Sequence, residues 1–221
     1  MAPRTKTRDR IVLESLGLFN TQGERNVTTN HIAAHLGMSP GNLYYHFRNK
    51  QEIITELFGQ YEARVDAFLR VPEGRAVTVE DKTFYLESLL AAMWDFRFLH
   101  RDLEHLLESD AELAVRYRQF AQRCLDHALG IYRGFVEAGI LLMTPAQTEA
   151  LTLNSWIIIT SWVRFLCTTR GESADISQDL LRRGIYQVLA LEGGYLAPEA
   201  QPAVKALYEK LYVPLDAIVP A

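Results

Sequence analysis

The chain has 221 residues, 48% of them hydrophobic, with 27 acidic against 23 basic side chains and a formal charge of −4. That is enough apolar residue for a substantial core, in one large domain or two small ones, and excludes a chain without a folded interior. The negative total argues against a nucleic-acid binder only until it is divided. Residues 1–50 hold seven Lys/Arg (Arg4, Lys6, Arg8, Arg10, Arg25, Arg48, Lys50) against Asp9, Glu14 and Glu24, a net +4, and the remainder carries −8. A basic head on an acidic body suits a protein of which only one end approaches phosphate.

Taken in order, the chain shows helix after helix and almost no strand signal. Val12, Leu16 and Phe19 fall at i, i+4 and i+7, predicting a first helix over about 6–22 that stops before Gly23. Thr28 or Thr29 can cap a second, short helix with Ile32, Ala33 and Leu36 on its apolar stripe. Gly37 follows where a helix stop favours a left-handed backbone, Ser39 supplies a cap oxygen, and Pro40 takes the first position of a third helix. Leu43 and Phe47, four apart, point back at the second helix. At 100° per residue, Tyr45 then points away from that core with Gly41, Asn42 and Arg48, and Tyr44 and His46 lie on the flanks. Such an outward face reads bases better than it meets water. The pattern is a helix-turn-helix over residues 28–50.

Asn49, with Glu52 at the third position, caps a longer helix to about residue 70, and Val71-Pro72-Glu73-Gly74-Arg75 breaks it. Thr78 opens a helix carrying Leu86, Leu89, Leu90, Met93 and Trp94. Ser109 with Glu112 reads as a capping box for a helix of about thirty residues ending near Gly139. Thr144-Pro145-Ala146-Gln147 is a second box, opening a helix to about Thr169. Further helices are predicted over roughly 176–192, stopping at Gly193-Gly194, and over 199–212 with Pro202 in its first turn. The division expected is a helix-turn-helix domain at 1–50, a linking helix and loop at 51–75, and a helical domain at 76–221.

Residues 8–55 resemble the DNA-binding domain of the TetR (tetracycline-repressor-like) family of bacterial transcription regulators. The resemblance rests on Phe19 and Gly23, the Thr-Thr start, Ile32-Ala33, Leu36-Gly37, and above all Leu43-Tyr44-Tyr45-His46-Phe47 followed by Asn49-Lys50. It implies an all-α homodimer whose N-terminal three-helix head binds a near-palindromic duplex and whose larger C-terminal helical bundle senses a small-molecule effector. By position, Thr28, Thr29, Tyr45 and Lys50 match places that hold phosphates, and Gly41, Asn42, Tyr44, Tyr45 and His46 match places that face bases. Asn30 and His31 depart from the pattern, standing where many members carry Arg or Lys. The expected function is a cytoplasmic transcriptional regulator, a repressor released by an apolar or amphipathic effector, with no enzymatic activity and no cofactor.

Competing chemistry is weaker. Gly37-Met38-Ser39-Pro40-Gly41 satisfies G-x-S-x-G, but a nucleophile elbow needs a preceding strand, and Ser39 is better used as a cap. His31 and His35 have a zinc-compatible i, i+4 spacing but neither the glutamate of H-E-x-x-H nor a third ligand, so a hydrolase or metal-dependent enzyme stands only as the alternative. His31 is expected at the DNA face, His35 on a solvated side, and His100 and His105 at the surface or a pocket rim. Cys124 and Cys167 read as small buried hydrophobes in a reducing compartment. The most apolar stretch, Trp156 to Val163, is expected to be too short to span a membrane, and no signal peptide is expected at the start. Among the aromatic residues, Trp94 and Trp156 are the candidates for an effector cavity between helices, with Arg97, Asn154 and Ser155 as polar anchors. The apolar residues nearly all round the helix at 145–169 predict that it and the helix at 176–192 form the dimer contact.

Overall fold

A computed structural model describes residues 7–170 and 176–219. Arg4 and Lys6, counted above in the basic head, lie outside the described residues. Among the described residues the structure is helical, with one isolated antiparallel bridge between Leu141 and Leu196.

Helix α1 (Thr7–Gln22) ends at Gly23, whose φ of 88° turns the chain into a single 3-10 turn at Glu24–Asn26. Helix α2 (Thr29–His35) and helix α3 (Pro40–His46) follow, separated by Gly37 at φ 65°. Ile11, Phe19, Val27, Ile32, Leu43, Phe47 and Ile53 are fully buried and form the core of this head. Arg10 donates to the Leu36 carbonyl at 2.9 Å, satisfying an orphan acceptor at the end of α2. Helix α4 (Lys50–Phe68), capped by Asn49 as expected, leaves the head and enters the body.

The body consists of α5 (Val79–Asp95), α6 (Arg97–Ser109), α7 (Ala111–Glu137), α8 (Pro145–Arg170), α9 (Gln178–Glu192), α10 (Gln201–Leu211) and a short α11 (Leu215–Ile218). The caps at Thr78 and Thr144 stand as read, and Ser177 caps α9. Three features differ from expectation. The break between α5 and α6 at Phe96 carried no sequence signal: Asn20 of α1 accepts from Phe98 N–H at 3.1 Å and donates to the Asp95 carbonyl at 2.7 Å. A residue 75 or more positions away thus satisfies the orphan backbone groups of the corner. The cap of α7 is Asp110, whose carboxylate accepts from the N–H groups of Glu112 and Leu113, not Ser109, whose hydroxyl closes α6 onto the Leu106 carbonyl. Finally, the apolar stretch around Trp156 sits in a 26-residue helix that is long and apolar enough, by length and composition, to cross a membrane. In this fold α8 packs on α6, α7 and α9 as a bundle helix.

Candidate nucleic-acid interface and internal cavity

The head presents α3 as designed by its residue order. Leu43 and Phe47 are buried beneath it, while Tyr45 is 84% exposed and Tyr44 half exposed. Gly41 and Asn42 are also exposed. The Ser39 hydroxyl accepts from Asn42 N–H at 3.2 Å, so this oxygen is a helix cap and has no base beside it. Tyr44 and Thr29 share a hydrogen bond at 3.0 Å across the two helices, and the Tyr45 and His46 rings meet edge to face at 5.2 Å. These contacts set the Tyr44 hydroxyl and the Tyr45 and His46 rings side by side on the outer face.

His31 does not stand free on that surface. Its Nδ1 lies 3.2 Å from the Asn26 carbonyl and 3.4 Å from Thr28 N, while Thr28 Oγ1 accepts from His31 N–H, a reciprocal capping box. His35 pairs with Glu14 at 3.0 Å. The two imidazoles thus serve different partners, and among the described residues no group of three His, Cys, Asp or Glu could hold a metal. Lys50 is used internally as well. Its ammonium donates to the Glu24 and Val27 carbonyls at 2.9 and 3.0 Å and meets the Glu24 carboxylate at 2.5 Å.

Inside the body, α4 to α9 enclose a cavity of about 140 Å³. Most of its wall is aromatic or aliphatic, with Tyr61, Phe120, Phe135 and Trp156 prominent. Two clusters of ionisable side chains interrupt it, beside the hydroxyls of Thr152, Ser155 and Thr160. On one side Lys82 and Glu192, almost fully buried, form an ion pair, and Tyr132 donates to the second Glu192 oxygen at 2.9 Å. On the other, His100 is buried and its Nε2 lies 3.1 Å from the Tyr61 hydroxyl. Burial alone holds the His100 imidazole down at about 4, so it is neutral at pH 7. Burial also pushes the Tyr132 hydroxyl well up, and the Cys124 thiol in the same wall rises to about 12.

Of the residues expected around an effector, Trp156 and Ser155 line the cavity. Trp94 faces a separate groove between α5, α9 and α10, with the Arg97 guanidinium stacked 4.3 Å over its ring, and Asn154 is exposed on α8. The sequence reading missed Lys82, Tyr132 and Glu192, and it placed His100 at the surface or a rim. A signal existed: Lys82 continues the Leu86, Leu89, Met93 stripe, and Glu192 continues Ile185, Val188, Leu189, each a charge at a core position.

Helix α6 connects the two regions. Leu99, His100 and Leu103 face the cavity. On the opposite side Arg101 donates to the Phe19 carbonyl at 2.6 Å, Asp102 accepts from Glu24 N–H at 3.2 Å, and His105 lies 3.9 Å from the Glu24 carboxylate.

A helix-turn-helix with a polar outer face, joined to a helical body with an apolar cavity, defines a DNA-binding transcriptional regulator. The family model described as bacterial regulatory proteins, tetR family, matches residues 11–57, and the TetR model described as bacterial transcriptional repressor matches residues 60–204. A TetR-family transcriptional regulator from Marinobacter aquaeolei VT8, solved by crystallography, is 52% identical over 94% of this chain and 100% of that one, with a TM-score of 0.86. A tetR-family regulatory protein from Rhodococcus RHA1 (21% identity, 88% and 100% covered, TM-score 0.61) shares the fold. So does a ketosteroid transcriptional regulator of Mycobacterium tuberculosis (16%, 88% and 97%, 0.61). The chain belongs to the TetR family of bacterial transcriptional regulators.

Proposed function

We propose that this regulator is a ligand-released repressor: a cytoplasmic homodimer whose two heads hold a near-palindromic operator until a small apolar or amphipathic effector occupies the body. Residues 1–50 read DNA, 51–75 link, and 76–221 bind effector and dimerise. Gly41, Asn42, Tyr44, Tyr45 and His46 face bases, and Thr28, Thr29 and Tyr45 hold phosphates. Lys50 contributes through position, because its ammonium ties the turn before α2 to the start of α4. Ser39 caps α3 and His31 and His35 serve different partners, which favours a binding role for these residues over a catalytic one.

The observation that carries this reading is that one rigid helix, α6, touches the cavity on one face and the head on the other. A ligand against His100 and Leu103 would move the Arg101 and Asp102 contacts that orient the head. It releases DNA only to the extent that it prefers the released arrangement, typically by about 1–3 kcal/mol of coupling. The test is to select duplexes from a random pool, then titrate the selected operator with a panel of acyl, aromatic and terpenoid compounds. A compound that quenches tryptophan fluorescence should weaken operator binding, and Trp156→Phe should remove most of the quench. Absence of preference over random DNA would end the operator assignment, and a panel without effect on either signal would end the effector assignment.

A further inference from the structure

Resting on the effector reading above, we propose that the cavity selects an uncharged lipophile carrying a hydroxyl group, and rejects carboxylates and amines of the same skeleton. The two permanently charged side chains in its wall are Lys82 and Glu192, and they neutralise each other. Both are almost fully buried, at 3% and 1% exposure, and each charge has further company. The Lys82 ammonium lies 4.6 Å from the centre of the Phe135 ring, and Tyr132 donates to Glu192. His100 adds no charge, since burial keeps it neutral. A ligand carboxylate would therefore face an ammonium that is already paired, and would bring an uncompensated negative charge into an apolar enclosure. An amine would bring the opposite excess. Either must leave water without a free counter-charge to meet it.

The hydrogen-bonding capacity left in the wall points to the hydroxyl. Tyr132 has one proton and gives it to Glu192, so the 2.9 Å contact with Ser155 has Ser155 as donor. Thr152 donates to the Thr148 carbonyl and Thr160 to the Trp156 carbonyl, both at 2.8 Å. These three hydroxyls use their protons inside the protein and offer lone pairs to the cavity. Lys82, with three N–H bonds and one carboxylate partner, keeps donors to spare. An alcohol meets both needs at once, donating to a hydroxyl oxygen and accepting from Lys82, whereas a carbonyl can only accept.

The experiment uses the full-length protein and two ligand sets. N-phenyl-1-naphthylamine, which is uncharged, and its 8-sulfonate share one skeleton and brighten in apolar surroundings. Decanol, decanoate and decylammonium then compete for the bound neutral dye. The neutral dye should bind about tenfold or more tighter than the sulfonate, and decanol should displace it at about tenfold lower concentration than either charged chain. Glu192→Gln, which strips Lys82 of its partner, should shift the preference toward decanoate and the sulfonate. Lys82→Met combined with Glu192→Gln should return it to decanol, a control that holds even if the single variant folds poorly. Decanoate or decylammonium matching decanol on the wild-type protein would overturn this inference and leave the effector cavity standing. Failure of every dye and every competitor to bind would overturn both.

Discussion

Lys50 and Glu24 meet between the first turn of α4 and the 3-10 turn that precedes α2, and the Glu24 carboxylate is almost fully buried there. Removing the ammonium leaves that carboxylate without its nearest cation and two carbonyls without a donor. Lys50→Met should therefore cost about 3 kcal/mol of stability, seen as an earlier thermal transition, while the slope of log affinity against log salt stays unchanged. A residue that merely neutralised one phosphate would instead lower that slope by about 1 and leave stability alone. Tyr45 should behave in the opposite way. It is 84% exposed, so Tyr45→Ala should leave the melting curve within about 0.5 kcal/mol of wild type and weaken the selected operator by about tenfold, with a smaller loss on random DNA from its phosphate contact. His100 supplies a third residue-level expectation. Its folded value of about 4 lies below the ordinary 6.5, so across that window the unfolded chain takes up a proton that the folded chain refuses. Stability should be intact above pH 6.5 and fall by up to about 3 kcal/mol as the pH drops to 4. Denaturant titrations at stepped pH should show this slope, and His100→Gln should flatten it.

At the scale of elements, the helices announced by local chemistry were legible and those made by distant partners were not. Thr28, Ser39, Asn49, Thr78 and Thr144 each cap the helix that their own sequence neighbourhood suggests, because an N-cap is a contact across two or three residues. The corner between α5 and α6 depends on Asn20, and the effector wall depends on Lys82 meeting Glu192 110 positions later. Periodicity marks such residues only as charges or amides in a core stripe. It does not say which of them meet. Trp94 and Trp156 show the same limit: both lie mid-helix among apolar neighbours, yet only Trp156 is turned toward the cavity. The crossing of α8 on α9 offers a test of packing at this scale. Trp162 donates from Nε1 to the Leu180 carbonyl at 2.8 Å and lies flat on Gly184, where an added Cβ would come within 2.6 Å of the indole ring. That anchored ring cannot swing aside as a surface side chain would. Gly184→Ala should therefore lose about 1–2 kcal/mol despite the helix propensity it gains, lowering the midpoint of thermal unfolding by roughly 2–8 °C.

For the whole molecule, the question is what covers the outer face of α8. Leu153, Ile157 and Phe165 are exposed there in one stripe, with Ser161 and Thr168 between and beyond them, and Leu191 is exposed near the end of α9. A face with this many large apolar residues suits a second copy of the chain packed about a two-fold axis, α8 and α9 against their equivalents. Such an axis would set two reading helices on successive half-sites roughly 34–36 Å apart, with the basic heads toward DNA and the acidic bodies away from it. Leu166 is fully buried within its own chain, so a charge there would unfold the body and report nothing about the partner. Ile157, 51% exposed, is the informative position. Ile157→Glu places a carboxylate at the centre of the stripe at almost no cost to the monomer. Light scattering at micromolar concentration should then give one 25.2 kDa chain in place of two, with an unchanged helical circular-dichroism signal. Operator affinity should fall steeply and its salt dependence by about half, because a single head neutralises half the phosphates. A variant that remained dimeric would move the interface elsewhere on the body, and a monomeric variant with full operator affinity would show that one head suffices for recognition.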